Sequence, residues 1–323
     1  MENTAPATAT RRGQGIWRGV VGAATLALTV ACAVEAGQAD GLLLGVVTAA
    51  AIPGVLALSQ LLLLRGGRIE PATVGVAGLG AAIIGVNSTG EDNGAMFLGL
   101  LLALLAAVPF AFLSGFLSLH ARTGHALFSA VAVLIGADQL VTDIAPEQMA
   151  NVRAPLLNSL ASNDLGIPGV ALVAAALFLV TAWYLPRQEA RLAAREQTWS
   201  RVTVHLFLPS FLLATVVGLL YTAQIGATVQ GELGKTFMIS CLLALTAGGC
   251  SLRTGEGTVG DVAVGSLFAG ALQSFLNFEG VSASPQSTIL CGTAVAFLLL
   301  DLARLRRPAP ATAPEPVEIP LPR

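Results

Sequence analysis

Long apolar runs, interrupted at intervals by one or two charged residues, set the pattern of this chain. Ignoring histidine, the segments between charges run 19–34, 41–64, 71–90, 93–121, 123–137, 165–186, 202–231, 236–252, 262–278 and 280–300. Each is long enough, or nearly so, to cross a hydrocarbon core of about 30 Å as a helix. The pattern predicts an all-α polytopic membrane protein with about ten transmembrane helices, because an isolated span must satisfy its own backbone hydrogen bonds. Runs rich in small residues, GVAGLGAAIIG (75–85) and GSLFAGALQ (265–273), predict helices that pack against protein more than lipid, since small side chains let backbones approach.

Charge gives the direction. With the N-terminus inside, the inner loops hold Arg11, Arg12, Arg18, Arg65, Arg68, Arg122, Arg187, Arg191, Arg195, Arg201, Arg253, Arg304, Arg306, Arg307 and Arg323, leaving Arg153 and Lys235 outside. Positive charge gathers on the cytoplasmic side, so both termini are expected there. Residues 1–18 then form a cytoplasmic tail, 19–304 the membrane domain, and 305–323 a Pro-rich disordered cytoplasmic tail. The first segment follows three arginines as a signal peptide would, but lacks a convincing cleavage site and is read as a retained helix. The largest external element is 143–166, whose APLLNSLAS core is expected to form a short surface helix.

Composition narrows the function. Hydrophobic residues make up 54% of the 323 and charged residues 11%, against about 25% charged in an ordinary soluble domain. The net charge of −2 comes without a basic block, which speaks against a nucleic-acid partner. Cys32, Cys241, Cys250 and Cys291 form no CxxC or Cys/His cluster. Gly234-Lys235-Thr236 looks like the end of a phosphate loop, but that motif needs glycine where Val229 stands. His120, His125 and His205 are not at metal-site spacing, and no nucleophile elbow with plausible partners stands out. Catalysis, a cofactor and a bound metal are therefore not expected. Asp138, beside Gln139, is the one acid well inside a crossing, while Glu35, Glu70, Asp261 and Asp301 read as interfacial. So few intramembrane charges disfavour coupling to an ion gradient.

The stretch AGGCSLRTGEGTVGDVAVGSLFAGALQSFLNFEGVSASPQSTILCGTAVAFLLLDLARLRR (247–307) resembles the C-terminal part of the ribose-type sugar ABC importer permeases, within the branched-chain amino acid and sugar permease superfamily. Gly248, Gly249, Ser251, Gly255, Gly257, Gly265 and Gly280 fall in register with that pattern. Residues 54–85 are similar to the family's second helix, glycine turn and third helix, with Gly66, Gly67, Ile69 and Glu70 at the turn, and 96–143 look like its fourth and fifth helices. The resemblance implies a pore of two permease chains, identical or different, a separate cytoplasmic ABC ATPase beneath it, and an extracytoplasmic substrate-binding protein above. It also implies an inner loop that docks in the ATPase. Here that loop is PRQEARLAAREQTWSRV (186–202), where Glu189, Arg191, Leu192 and Arg195 are the coupling candidates. The family's Gly-Gly-Asn is missing, Glu70 stands where Asp is usual, and Thr254 replaces a second Gly. The loop reads either as a docking helix or as a solvated, positive-inside segment.

Polar residues inside apolar helices need partners, because each unpaired buried polar group costs a few kcal/mol. Candidates for a solute pathway are Gln60, Asn87, Asp138, Gln139, Gln273 and Asn277, with Ser59, Tyr221, Gln224 and Ser274 near them in sequence or type. Each also reads as an interhelical hydrogen bond. The expectation is a permease subunit of an ATP-driven importer in the cytoplasmic (inner) membrane, carrying a monosaccharide or related small polar solute by alternating access. The alternatives are a nucleoside or branched-chain amino acid permease, or a non-transporting relative with an eroded coupling loop.

Overall fold

The computed structural model describes residues 17–31, 39–120, 123–144, 150–162, 167–193, 199–228, 233–252 and 255–305. The regular elements among them are helical. They are α1 Trp17–Ala31, α2 Ala39–Arg65, α3 Ala72–Asn87, α4 Asn93–His120, α5 Thr123–Ile144, α6 Pro155–Ala161, α7 Gly169–Ala193, α8 Trp199–Val202, a π turn Thr203–Phe207, α9 Leu208–Ile225, α10 Leu233–Gly248, α11 Val259–Phe278 and α12 Ala283–Leu305. One antiparallel bridge joins Asn151 to Ala227. Of the two tails, residues 1–16 and 306–323 lie outside the described residues.

All ten apolar segments of the sequence carry helix. Six described stretches are long and apolar enough to cross a membrane: Leu43–Arg65, Asn93–Ser118, Gly169–Gln188, Trp199–Ile225, Val259–Phe278 and Ala283–Ala303. Others are apolar but shorter, among them Ala72–Asn87. With 16 residues, α3 rises only about 24 Å, yet it needs little contact with lipid. It is buried along almost its whole length, enclosed by α9, α5 and α4.

α2 is the central element. Residues 50–64 are buried without a break, as suits a helix apolar on every side, and it packs against α11, α9, α7 and α10. The contact between α10 and α11 depends on glycine: a Cβ at Gly265 would collide with the Ala244 carbonyl and the Gly248 amide. The outer helices keep apolar rows exposed, with Leu98, Leu101 and Leu105 on α4 and Val295, Leu299 and Leu302 on α12. Such rows suit contact with acyl chains.

Proline shapes the entry to α9. Pro209 has no N–H to donate to the His205 carbonyl, and the chain widens there into the π turn, with the Leu208 amide bonded to the Thr203 carbonyl. The Tyr184 hydroxyl of α7 donates to the freed His205 carbonyl at 3.1 Å.

The bundle has two chemically different ends. At the arginine end, Arg68 Nη1 donates to the Ser118 carbonyl at 2.5 Å, and Arg18 Nε pairs with Asp261 Oδ1 at 2.5 Å. At the far end, residues 150–162 clamp the ends of α3, α4 and α9: the Val152 amide bonds Gly226 O at 2.9 Å, the Arg153 amide bonds Ser88 O at 2.9 Å, and the Leu156 amide bonds Asn93 Oδ1 at 3.0 Å. The short helix expected in APLLNSLAS forms as α6, with Leu157 buried beneath it.

Candidate functional site

A cavity of about 320 Å³ lies between α2, α9, α10 and α11, towards the far end. α2 contributes Ala49, Ile52, Pro53 and Leu56. Pro53 cannot donate the helical hydrogen bond to the Ala49 carbonyl, so a backbone acceptor is released on a segment that lines the cavity. The last turn of α9 adds Tyr221 and Gln224, α10 adds Phe237 and Ser240, and α11 adds Gln273 and Asn277.

Two contacts set the shape of this wall. The Tyr221 ring stands edge-on to Phe237, with centroids 4.7 Å apart. Gln286 Nε2 of α12 donates to Asn277 Oδ1 at 2.9 Å and to the Gln273 carbonyl at 3.3 Å, fastening the end of α11. Gln273 and Asn277 are four apart and so share one face of α11. The lining offers amides, hydroxyls and aromatic edges and carries no charged side chain. Such a surface exchanges hydrogen bonds with a neutral polar solute without the desolvation cost of a fixed charge.

The structure thus brings together Gln273 and Asn277, with Tyr221 and Gln224 beside them. The other pathway candidates lie elsewhere. Gln60 is buried at the opposite end of α2 and bonds the turn that leads into α3. Asn87 Nδ2 donates to the carbonyl of Ile83, one turn back on its own helix, at 2.8 Å. Asp138 is half-buried on α5 and Gln139 is exposed. Of the coupling candidates, Glu189, Arg191 and Leu192 fall in the last turns of α7, and Arg195 lies outside the described residues. Ser240 escaped the sequence reading; its one signal is a hydroxyl in an otherwise apolar stretch.

A second polar region was also missed. Glu70, read as interfacial, is only 4% exposed. Its turn begins with Gly67, whose φ of 72° needs glycine, and the Gly66, Gly67 and Arg68 amides bond back to the end of α2. Asp261, also read as interfacial, is 1% exposed. It is held by Arg18 and by the capping box with Thr258 at the start of α11. Among the described residues no three His, Cys, Asp or Glu side chains group as metal ligands.

No protein-family model matches the chain, and no solved structure matches it. A ribose import permease protein, RbsC of Haemophilus influenzae, is 27% identical over 131 residues, 36% of this chain and 40% of that protein. The match therefore spans less than half the length of that relative. With six helices among the described residues suited to crossing a bilayer, the chain reads as a multi-pass membrane protein similar in part to a sugar permease.

Proposed function

We propose that this chain is the membrane permease subunit of an ATP-driven importer for a monosaccharide or a similarly small, neutral, polar solute. The observation that carries the reading is the uncharged cavity edged by Tyr221, Gln224, Ser240, Gln273 and Asn277, in a chain partly similar to a ribose import permease. If the arginine end faces the cytoplasm, as the Lys and Arg distribution implies, the cavity lies in the outer half. That is where a solute handed over from an external binding protein would enter. The far end of the cavity wall is fastened by α12, while α2, α9 and α11 run from it to the arginine end, where a motor would push. The free energy for uptake comes from a separate ABC ATPase, and two permease chains form the pore.

A second reading has one feature in its favour. The coupling loop lacks the Gly-Gly-Asn of the family it resembles, which fits a relative that no longer transports.

One experiment separates the two. The chain is co-purified with any two-cassette ABC ATPase found encoded beside its gene and reconstituted in liposomes with a substrate-binding protein from the same gene cluster. The importer reading expects ATP hydrolysis that rises with monosaccharide-loaded binding protein. Failure to co-purify, or hydrolysis indifferent to the loaded binding protein, favours the non-transporting relative. Uphill uptake by the chain alone on a cation gradient overturns both.

A further inference from the structure

The Glu70 side chain is the least compensated charge site among the described residues. Its backbone is locked on both sides: Gln60 Nε2 donates to its carbonyl at 2.7 Å, and Thr73 Oγ1 donates to the same oxygen at 3.0 Å. Glu70 is 4% exposed, so its carboxyl sits within the packing rather than in water. Ser114 of α4 approaches the carboxyl, yet neither Glu70 Oε1 nor Ser114 Oγ completes a hydrogen bond, and Thr203 Oγ1 of the π turn is also left without one. Ser114 is 3% exposed and Thr203 0%. Thr203 Oγ1 lies against Gly115, next in sequence to Ser114, where a Cβ would collide with it. The same elements bring Leu63, Ala72, Ala111, Leu206 and Phe207 into one apolar cluster.

Among the described residues no cation forms an ion pair with this carboxyl. Arg68 acts on it through space, but its guanidinium is spent on the carbonyl and hydroxyl of Ser118. The ion pair recorded among the described residues is Arg18 with Asp261. The other charged or titratable side chains on the elements packed here are Arg65 at the end of α2, Arg201 on α8 and His205 on the π turn. α4 carries none between Pro109 and Ser118. A buried carboxylate that has only the Ala72 backbone amide, with Oε1 unbonded and no ion pair, costs several kcal/mol, and such a group takes up a proton instead. The neutral acid has both a donor and an acceptor, so it matches the Ser114 hydroxyl, which supplies both.

We propose that Glu70, with Ser114, is a proton-binding site: the folded chain holds Glu70 as the neutral acid, and its ionisation loosens the turn between α2 and α3 from α4 and the π turn. The site lies at the arginine end, apart from the cavity, and its test needs neither an ATPase nor a solute. Burial, partly offset by the Ala72 backbone amide, the nearby Ser114 hydroxyl and Arg68, raises the Glu70 carboxyl to about 7 from an ordinary 4.5. A raised folded-state value means that folding binds the proton. The stabilisation is therefore fully present below 4.5 and is lost as pH rises through about 7.

The experiment follows the unfolding temperature of the purified chain in detergent micelles from about pH 4.5 to about pH 8.5, in potassium and in sodium chloride. For the wild-type chain we expect a fall of several degrees that flattens above neutrality. In Glu70→Gln that component of the fall disappears, and at alkaline pH the variant is at least as stable as the wild type, since Gln is permanently neutral. A flat wild-type profile, an unchanged slope in Glu70→Gln, or Glu70-dependent stabilisation by sodium over potassium overturns the proposal, the last by making this a metal-cation site. Should Glu70→Gln fail to fold, an infrared titration replaces it. A carboxylic-acid carbonyl band that persists to about neutral pH in the wild type and shifts in Ser114→Ala supports the site, and absence of the band or of the shift overturns it.

Discussion

Gln60 on α2 grips Glu70 across the turn into α3: its Nε2 donates to the Glu70 carbonyl at 2.7 Å, and its Oε1 faces the Glu70 amide at 3.4 Å. Thr73 Oγ1 accepts from the same Nε2. A long amide in an apolar helix here pins a turn at the arginine end, away from the cavity at the other end of α2.

Gln60→Leu is therefore expected to lower stability. The Glu70 carbonyl keeps its bond from Thr73, but the Glu70 amide loses its acceptor inside the protein. A cost of about 1–3 kcal/mol follows for a buried group left unpaired. A lower unfolding temperature and a reduced folded yield in micelles check this, with solute affinity of the surviving folded fraction unchanged.

Gln273→Leu is expected to do the reverse. Gln273 borders the cavity and is half-buried, and the bond that Gln286 makes to this residue uses its backbone carbonyl, which leucine retains. Removing one amide partner should cost about 1 kcal/mol of solute binding, roughly a fivefold rise in KM for uptake. Uptake kinetics alongside an unfolding curve test this split. Unaltered KM would take Gln273 out of the solute path.

These two glutamines explain what the sequence could and could not disclose. Helix positions were legible because charges rarely enter bilayer spans, and α6 because a proline opens a short apolar run bounded by polar residues. The i, i+4 spacing of Gln273 and Asn277 put both on one face of α11. Nothing local, however, separates Gln60 from Gln273: each is an amide in an apolar helix, and only the neighbour that arrives from elsewhere in the chain decides its role. Glu70 reads as interfacial because it stands between two apolar segments, 41–64 and 71–90, just after Arg65 and Arg68. Its burial arises because the turn tucks under α4 and the π turn, a contact between segments more than forty residues apart in sequence. The π turn had a sequence signal in Pro209, but the answering hydroxyl, Tyr184, comes from α7.

Arg18 and Asp261 tie α1 to the start of α11, and the partners differ in exposure: 39% for Arg18 and 1% for Asp261. Asp261 Oδ2 also accepts from the Thr258 amide at 2.8 Å and from its hydroxyl at 2.7 Å. Arg18→Met leaves those bonds in place and removes a partly solvated, screened charge, so the expected loss is about 1 kcal/mol or less. Asp261→Ala removes the capping box together with the ion pair and should cost more, about 1–2 kcal/mol for the cap alone. Unfolding of the two variants at equal pH and ionic strength checks the order. Equal losses would mean that the ion pair, rather than the cap, holds the start of α11.

Gly265 and Gly292 offer the sharpest contrast between a glycine that brings backbones together and one that does not. A Cβ on Gly265 would collide with the Ala244 carbonyl and the Gly248 amide of α10. Both are backbone atoms, so no side-chain rotation relieves the clash and the two helices must separate. The contact they would give up also holds Gly248 against the Asp261 carbonyl, where a Cβ is equally excluded. Gly292 on α12 meets nothing within 4 Å. Gly265→Ala is expected to cost about 1–3 kcal/mol as overpacking, seen as a lower unfolding temperature and less monodisperse protein after extraction. Gly292→Ala should be neutral or slightly stabilising, because alanine favours helix by up to about 1 kcal/mol over glycine. If both substitutions behave alike, α10 and α11 do not meet as closely as this packing requires, and the cavity wall they share with α2 would have to be redrawn.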